Sequence, residues 1–162
     1  MVLGSKNGEG GSAQKVLFLC THNSARSQMA EGLLRHLAGE RFEVHSAGTE
    51  ATGIKAETVQ VMDEIGIDIS GQRSKTIDEF RGQAFDWFIT VCDDAQQNCP
   101  VLPGVEQSTH WSIEDPSAAT GTPEERLEAF RRVRDQLRNR LRLFILAGGR
   151  ADLPTPEPTV LP

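Results

Sequence analysis

The chain has no long apolar run. No stretch approaches the ~20 residues that span a bilayer, and the polar, Gly/Ser-rich start MVLGSKNGEGGSAQK reads as neither a signal peptide nor an anchor. It also lacks a basic excess. Lys plus Arg number 17 against 23 for Asp plus Glu, a net charge of −6, so there is no electrostatic footprint for nucleic acid or an anionic membrane. An anionic substrate would need a local site rather than a global field. Cysteine is scarce, with three residues. That odd count does not suit a disulfide framework and points to thiol chemistry in a reducing cytoplasm. Tyrosine is absent altogether.

What remains is one domain's worth of sequence, 162 residues, long enough to bury a core. Residues 1–14 read as a flexible leader, 15–146 as the domain and 147–162 as a Gly- then Pro-rich tail. Inside the domain, apolar runs alternate with helical patterns. VLFL (16–19) is a strand; Met29, Ala30, Leu33, Leu34 and Leu37 space out a helix closed by Gly39 as its left-handed C′ residue; FEVHSAG (42–48) is a second strand. A helix through Val59, Met62 and Ile65 stops at Gly66. FDWFITV (85–91) is the near-continuous apolar run of a strand covered on both faces, and STHWS (108–112) a shorter one. Thr122, Pro123 and Glu125 form a capping box with proline at the first helical position, opening a helix through Leu127, Phe130, Val133, Leu137, Leu141 and Phe144. The order predicts an α/β fold: a doubly wound sheet of about four parallel strands with helices on both faces, its site at the strands' C-terminal ends.

At one such end lies VLFLCTHNSARSQMAEGLL. Cys20 and Arg26 bracket Thr21, His22, Asn23, Ser24 and Ala25, with Ser27 and a helix following. Backbone N–H groups of such a loop can form an anion nest, and the helix N-terminus adds roughly half a positive charge. Arg26 can grip two oxygens of a tetrahedral anion with its planar fork. The same donors favour a thiolate. Free thiols titrate near about 8.5, and sites of this kind bring them to roughly 3.5–7.5, so Cys20 is expected to react as the thiolate. Ser27 can add a hydroxyl hydrogen bond, and Asn23 suits a left-handed backbone position or side-chain support. The oxyanion-binding set is thus Thr21 to Ser27, with His22 a loop residue rather than a catalyst.

CTHNSARS after VLFL resembles the phosphate loop of low-molecular-weight protein tyrosine phosphatases and of the arsenate reductases that share their fold, and the similarity runs from about Val16 to Ile145. The motif alone does not choose between them.

The segment VCDDAQQNCPVLPG, directly after the 85–91 strand, separates Cys92 and Cys99 by seven positions. A helix rises about 10.5 Å over that interval, whereas a disulfide needs Cα atoms within about 7 Å. A marginal helix closed by Pro100 suits an order-to-disorder switch that would let the pair bond. Alone, the pair also fits two core-facing thiols on one helical face; zinc fits worse, because the spacing is wrong and no companion pair exists. The segment is similar to the redox helix of thioredoxin-coupled arsenate reductases. That resemblance implies a relay: Cys20 attacks arsenate, Cys92 attacks Cys20 and releases arsenite, Cys99 attacks Cys92, and thioredoxin reduces the 92–99 disulfide.

In HWSIEDPSAATG the resemblance assigns Asp115 as general acid, which requires its carboxyl to titrate above the usual range. The phosphatase branch typically places aromatics just after this Asp-Pro, where Ser117, Ala118 and Ala119 stand here. A small inorganic anion fits that opening better than an aryl phosphate, which is where the missing tyrosines count. Trp111 reads as a packed aromatic near the sheet, and the arginines of the last helix, Arg134 among them, as a solvated face. Some members of the family bind a monovalent cation beside the loop, with Asn23, Glu31 and Ser46 matching part of that site. Arg73 and Lys75 occupy the region of the further ligands, so a side-chain cation is expected there and no metal. The expected protein is a monomeric arsenate reductase without a cofactor, taking arsenate (phosphate or sulfate as mimics) and thioredoxin. The alternatives are a low-molecular-weight phosphatase using Cys20, Arg26 and Asp115, and a non-enzymatic oxyanion or redox sensor.

Overall fold

The computed structural model describes residues 13–91 and 104–148, and Cys92 and Cys99, with most of the leader and tail, lie outside that range. Strand β1 is Gln14–Cys20, followed by helix α1 (Arg26–Ala38), β2 (Phe42–Gly48), α2 (Ala56–Asp63), a 3-10 turn (Ile77–Phe80), β3 (Phe85–Thr90), β4 (Val105–His110), a short 3-10 turn (Pro116–Ala118) and α3 (Pro123–Leu146). The four strands form one sheet in the order β2-β1-β3-β4, and every pairing is parallel.

That order puts a topological switch at β1. The chain leaves it for β2 on one side and later returns to β3 on the other, so a crevice opens at the C-terminal end of β1, where Cys20 is the last strand residue. Val16 through Leu19 are fully buried. Alternate residues point to opposite faces, so both sides of this central strand are covered. On one side Phe144 of α3 packs its ring against Phe42, Trp87 and Trp111, with centroids 5.4, 5.2 and 6.0 Å away. Trp111 is thus a packed aromatic, and Arg140 lies over its ring.

Several local expectations need correction. Gly39 caps α1 in right-handed rather than left-handed backbone geometry, and Leu37, at the end of the apolar stripe, is partly exposed. Helix α2 ends at Asp63, so Ile65 lies in the turn and Gly66 supplies the positive φ (+80°) that ends it. Its buried residues are Thr58, Val61 and Met62. Strand β4 begins at Val105 and ends before Trp111. The capping box at Thr122 forms with both reciprocal hydrogen bonds. Arg134 is buried, not solvated: its guanidinium donates to the Val61 carbonyl at 2.9 Å and pairs with Glu64 at 3.0 Å, tying α3 to α2. No helix among the described residues is long and apolar enough to cross a membrane.

Candidate active site

The loop from Cys20 to Arg26 is shaped by what holds its carbonyls. Cys20 O accepts from Thr49 N, Thr21 O from Glu50 N, His22 O from Thr52 N, Ser24 O from Lys55 N and Ala25 O from Met29 N, while Asn23 O takes the Gln28 side chain. With the carbonyls tied outward, the peptide planes turn their N–H groups toward the concave side, the geometry of an anion nest. Asn23 stands at φ +50°, the one non-glycine residue with positive φ among those described. An asparagine tolerates this conformation at low cost. Gly48 makes room for the loop. A Cβ there would lie 2.3 Å from Glu50 O and 2.7 Å from both Asn23 N and Thr21 O, all backbone atoms that cannot easily yield.

Cys20 is buried, with its sulfur 2.8 Å from Ser27 Oγ. Behind them a buried polar network closes on itself. Asn23 Nδ2 donates to Ser27 Oγ (2.8 Å) and to Ser46 Oγ (3.0 Å), and Asn23 Oδ1 accepts from Gln28 Nε2 and from the Lys75 backbone N–H. Ser46 Oγ donates to Glu31 Oε1 at 2.5 Å. Glu31 also pairs with Arg35 at 2.7 Å and with Lys75 at 3.5 Å. Buried polar groups persist only when satisfied, and these are.

Arg26 is buried at the far end of the loop. One guanidinium nitrogen donates to the Ile113 carbonyl at 3.1 Å, and another lies 3.8 Å from Asp115 Oδ2. Asp115 caps the short turn Pro116–Ala118, accepting from Ser117 N at 3.0 Å and Ser117 Oγ at 2.6 Å. Here the raised carboxyl expected from sequence is corrected. Burial pushes the Asp115 carboxyl up, but the Ser117 hydroxyl, the Arg26 charge, the Ser117 N–H and His22 together hold it below the ordinary aspartate value. A bound oxyanion is a like charge and acts in the opposite direction. His22 stands at the rim, half exposed and 4.0 Å from Glu50. Glu114 faces solvent beside Arg132.

The structure brings together Cys20, Arg26, Ser27 and Asp115 from elements up to 95 positions apart in sequence. Sequence reasoning missed Gln28 and Gln72, whose side chains hydrogen-bond each other at 2.7 Å behind the loop, and missed Ser117 as the holder of Asp115. The Asp-Pro-Ser run carried that last signal, an acceptor at the cap with proline at the first helical position. The monovalent cation suggested by resemblance does not fit here. Lys75 Nζ lies 3.4 Å from Ser46 Oγ, 3.0 Å from Arg73 O and 3.5 Å from Glu31 Oε1, filling the space beside those oxygens with its own charge.

Known proteins share this architecture. The arsenate reductase of Halalkalibacterium halodurans is 46% identical over 133 residues, which cover 82% of this chain and 96% of that protein. A solved arsenate reductase in its phosphate-binding state superposes with a TM-score of 0.68 at 37% identity, covering 83% of this chain and 98% of its own. The thioredoxin-dependent arsenate reductase of Corynebacterium glutamicum does so with a TM-score of 0.58 at 31% identity, covering 84% and 65% respectively. Residues 15–151 match the model of the low molecular weight phosphotyrosine protein phosphatases, and the chain belongs to that family.

Proposed function

We propose that this chain is an arsenate reductase that reduces As(V) to As(III) with electrons from thioredoxin. The observation that carries the reading is the thiol of Cys20 at the switch point of a parallel sheet, inside a loop whose carbonyls are tied outward and whose end is closed by a buried arginine. The similarity to arsenate reductases chooses this chemistry over phosphate ester hydrolysis.

Arsenate sits in the loop with its oxygens on the inward N–H groups of residues 21–27 and on the Arg26 fork. The Cys20 thiolate attacks arsenic, and one oxygen leaves as water with a proton from Asp115, giving a sulfur–arsenic(V) adduct. The Cys92 thiolate then attacks the Cys20 sulfur. The S–As bond breaks, its electron pair stays on arsenic, and arsenite departs, leaving a Cys20–Cys92 disulfide. Cys99 attacks Cys92, freeing the Cys20 thiolate and forming the 92–99 disulfide, which the thioredoxin dithiol reduces. Two electrons enter and two reach arsenic. Val91, the residue before Cys92 in sequence, donates its N–H to Leu19 O at 2.9 Å, beside the strand that carries Cys20.

We place this monomeric enzyme in the cytoplasm, where thiols remain reduced. The phosphatase reading keeps a specific basis, since Cys20, Arg26 and Asp115 also suffice for phosphoryl transfer. One assay separates the two: protein, thioredoxin, thioredoxin reductase and NADPH, with arsenate added last. Arsenate-dependent NADPH loss is the expected result. Rapid aryl-phosphate hydrolysis with no such loss would select the phosphatase, and neither activity with retained oxyanion binding would select the sensor.

A further inference from the structure

We infer that Lys75 is a positioning residue for the nucleophile: its backbone N–H and its ammonium, acting through Asn23, Ser46 and Glu31, turn the Ser27 hydroxyl toward the Cys20 sulfur. The inference rests on Cys20 being the nucleophile.

The groups at the ends of the network have unambiguous roles, and they determine the orientation of those between. Lys75 N–H can only donate, so the Asn23 atom that receives it at 2.9 Å is the carbonyl oxygen. The Asn23 amide nitrogen must then face the other way, toward Ser27 and Ser46. Ser46 Oγ receives hydrogens from Asn23 and from Lys75 Nζ, so its own hydrogen goes to Glu31. Ser27 Oγ likewise receives a hydrogen from Asn23, and its own is directed to Cys20 Sγ, 2.8 Å away. With the Asn23 amide reversed, Ser27 would donate to Asn23 instead and the thiolate would lose a donor.

The ammonium itself fits its surroundings. Three acceptors face Nζ, namely Arg73 O, Ser46 Oγ and Glu31 Oε1, matching its three hydrogens. Burial lowers its tendency to carry charge, while Glu31 opposes that and the charge of Arg73 adds to it. The remaining charged groups around it are Arg35, reached through Glu31 on α1, and Glu79 of the 3-10 turn, paired with Arg73. A carboxylate as buried as Glu31 needs positive charge close by; Arg35 supplies it to one oxygen at 2.7 Å and Lys75, whose backbone N–H also binds Asn23, to the other at 3.5 Å. The polarity of the chain is therefore set without a metal ion.

The test is alkylation of Cys20 by iodoacetamide as a function of pH, followed by peptide mass on the full chain, with folding checked by thermal denaturation. It needs neither arsenate nor thioredoxin, so a failed reductase assay overturns the function without touching this result. Lys75→Met is expected to move the profile to higher pH and to slow alkylation at pH 6.5 by roughly two- to tenfold, the effect of weakening one hydrogen bond to the thiolate. Ser27→Ala is expected to do the same, and the double variant to be no slower than the slower single one, since both act through one hydroxyl. Should Lys75→Met fail to fold, Ser46→Ala interrupts the same chain while keeping the ion pair, and the same shift is expected. A folded Lys75→Met or Ser46→Ala with the wild-type profile overturns the inference. So do fully additive effects with Ser27→Ala, or a wild-type profile that moves when sodium is exchanged for potassium.

Discussion

Arg26 reaches across the site to Asp115: one nitrogen of its guanidinium is hydrogen-bonded to Ile113 O at 3.1 Å, and another lies 3.8 Å from the Asp115 carboxylate. The backbone carbonyl anchors the fork where it can present two parallel donors to an oxyanion, and the charge keeps Asp115 close by. A lysine has neither the fork nor the reach to serve both sites. Arg26→Lys should therefore lower the arsenate-dependent rate roughly a hundredfold, the cost of removing one preorganised donor, while leaving the protein folded. Steady-state kinetics checks this, and a rate within a factor of two of wild type would remove Arg26 from the oxyanion site.

Asp115 is held ionised by Ser117, whose hydroxyl and N–H both donate to one carboxylate oxygen. A general acid must be protonated when it acts, so these bonds oppose the role while fixing the carboxyl's position. The Ser117→Ala variant loses the hydroxyl, and the Asp115 carboxyl should rise toward its ordinary value. The sign follows directly: a higher value keeps the acid form to higher pH, so the alkaline limb of the arsenate-dependent rate should move up. The pH profile of the first turnover measures it. An unmoved profile would mean that Asp115 takes no part in proton transfer, and an acidic limb that moves up in place of the alkaline one would mean that it works as a base.

The relay makes an asymmetric prediction about its last two thiols. Cys99→Ser should give at most one arsenite per protein with thioredoxin as sole reductant, stopping at a Cys20–Cys92 disulfide visible by mass. Cys92→Ser should stop earlier, with arsenic still on Cys20 and no arsenite released. Sustained turnover by either variant would refute the order of attack.

How much of this was legible follows from sequence distance. The nucleophile loop is contiguous, so Cys20, Asn23, Arg26 and Ser27 could be read from spacing alone, as could β2 and the capping box at Thr122. Arg134 could not: its burial depends on Val61 of α2 and on Glu64 at that helix's C-terminal cap, some seventy positions earlier, and an arginine among arginines carries no sign of which one turns inward. Asp115 was legible as a residue and not as an environment, because Ile113 O and Arg26 meet it only through the fold. Lys75 was read as a cation in the right neighbourhood, but its backbone N–H, which orients Asn23, leaves no trace in a side-chain pattern.

Gly48 closes β2 where it passes under the nucleophile loop, and its N–H donates to Lys75 O at 2.9 Å. A methyl group there meets backbone on three sides, at 2.3 Å from Glu50 O and 2.7 Å from Asn23 N and Thr21 O. No side-chain rotation relieves such contacts, so the loop itself must move. Overpacking of this kind costs about 1–3 kcal/mol, and Gly48→Ala should lower stability by that amount in chemical denaturation. The displaced atoms belong to the oxyanion nest and to the residue that orients Ser27. The rate should therefore fall more than tenfold even where the variant is fully folded, since displacements near 1 Å at a reacting centre cost about a hundredfold. Stability loss with an unchanged rate would show that the nest tolerates the shift, and that the glycine serves packing alone.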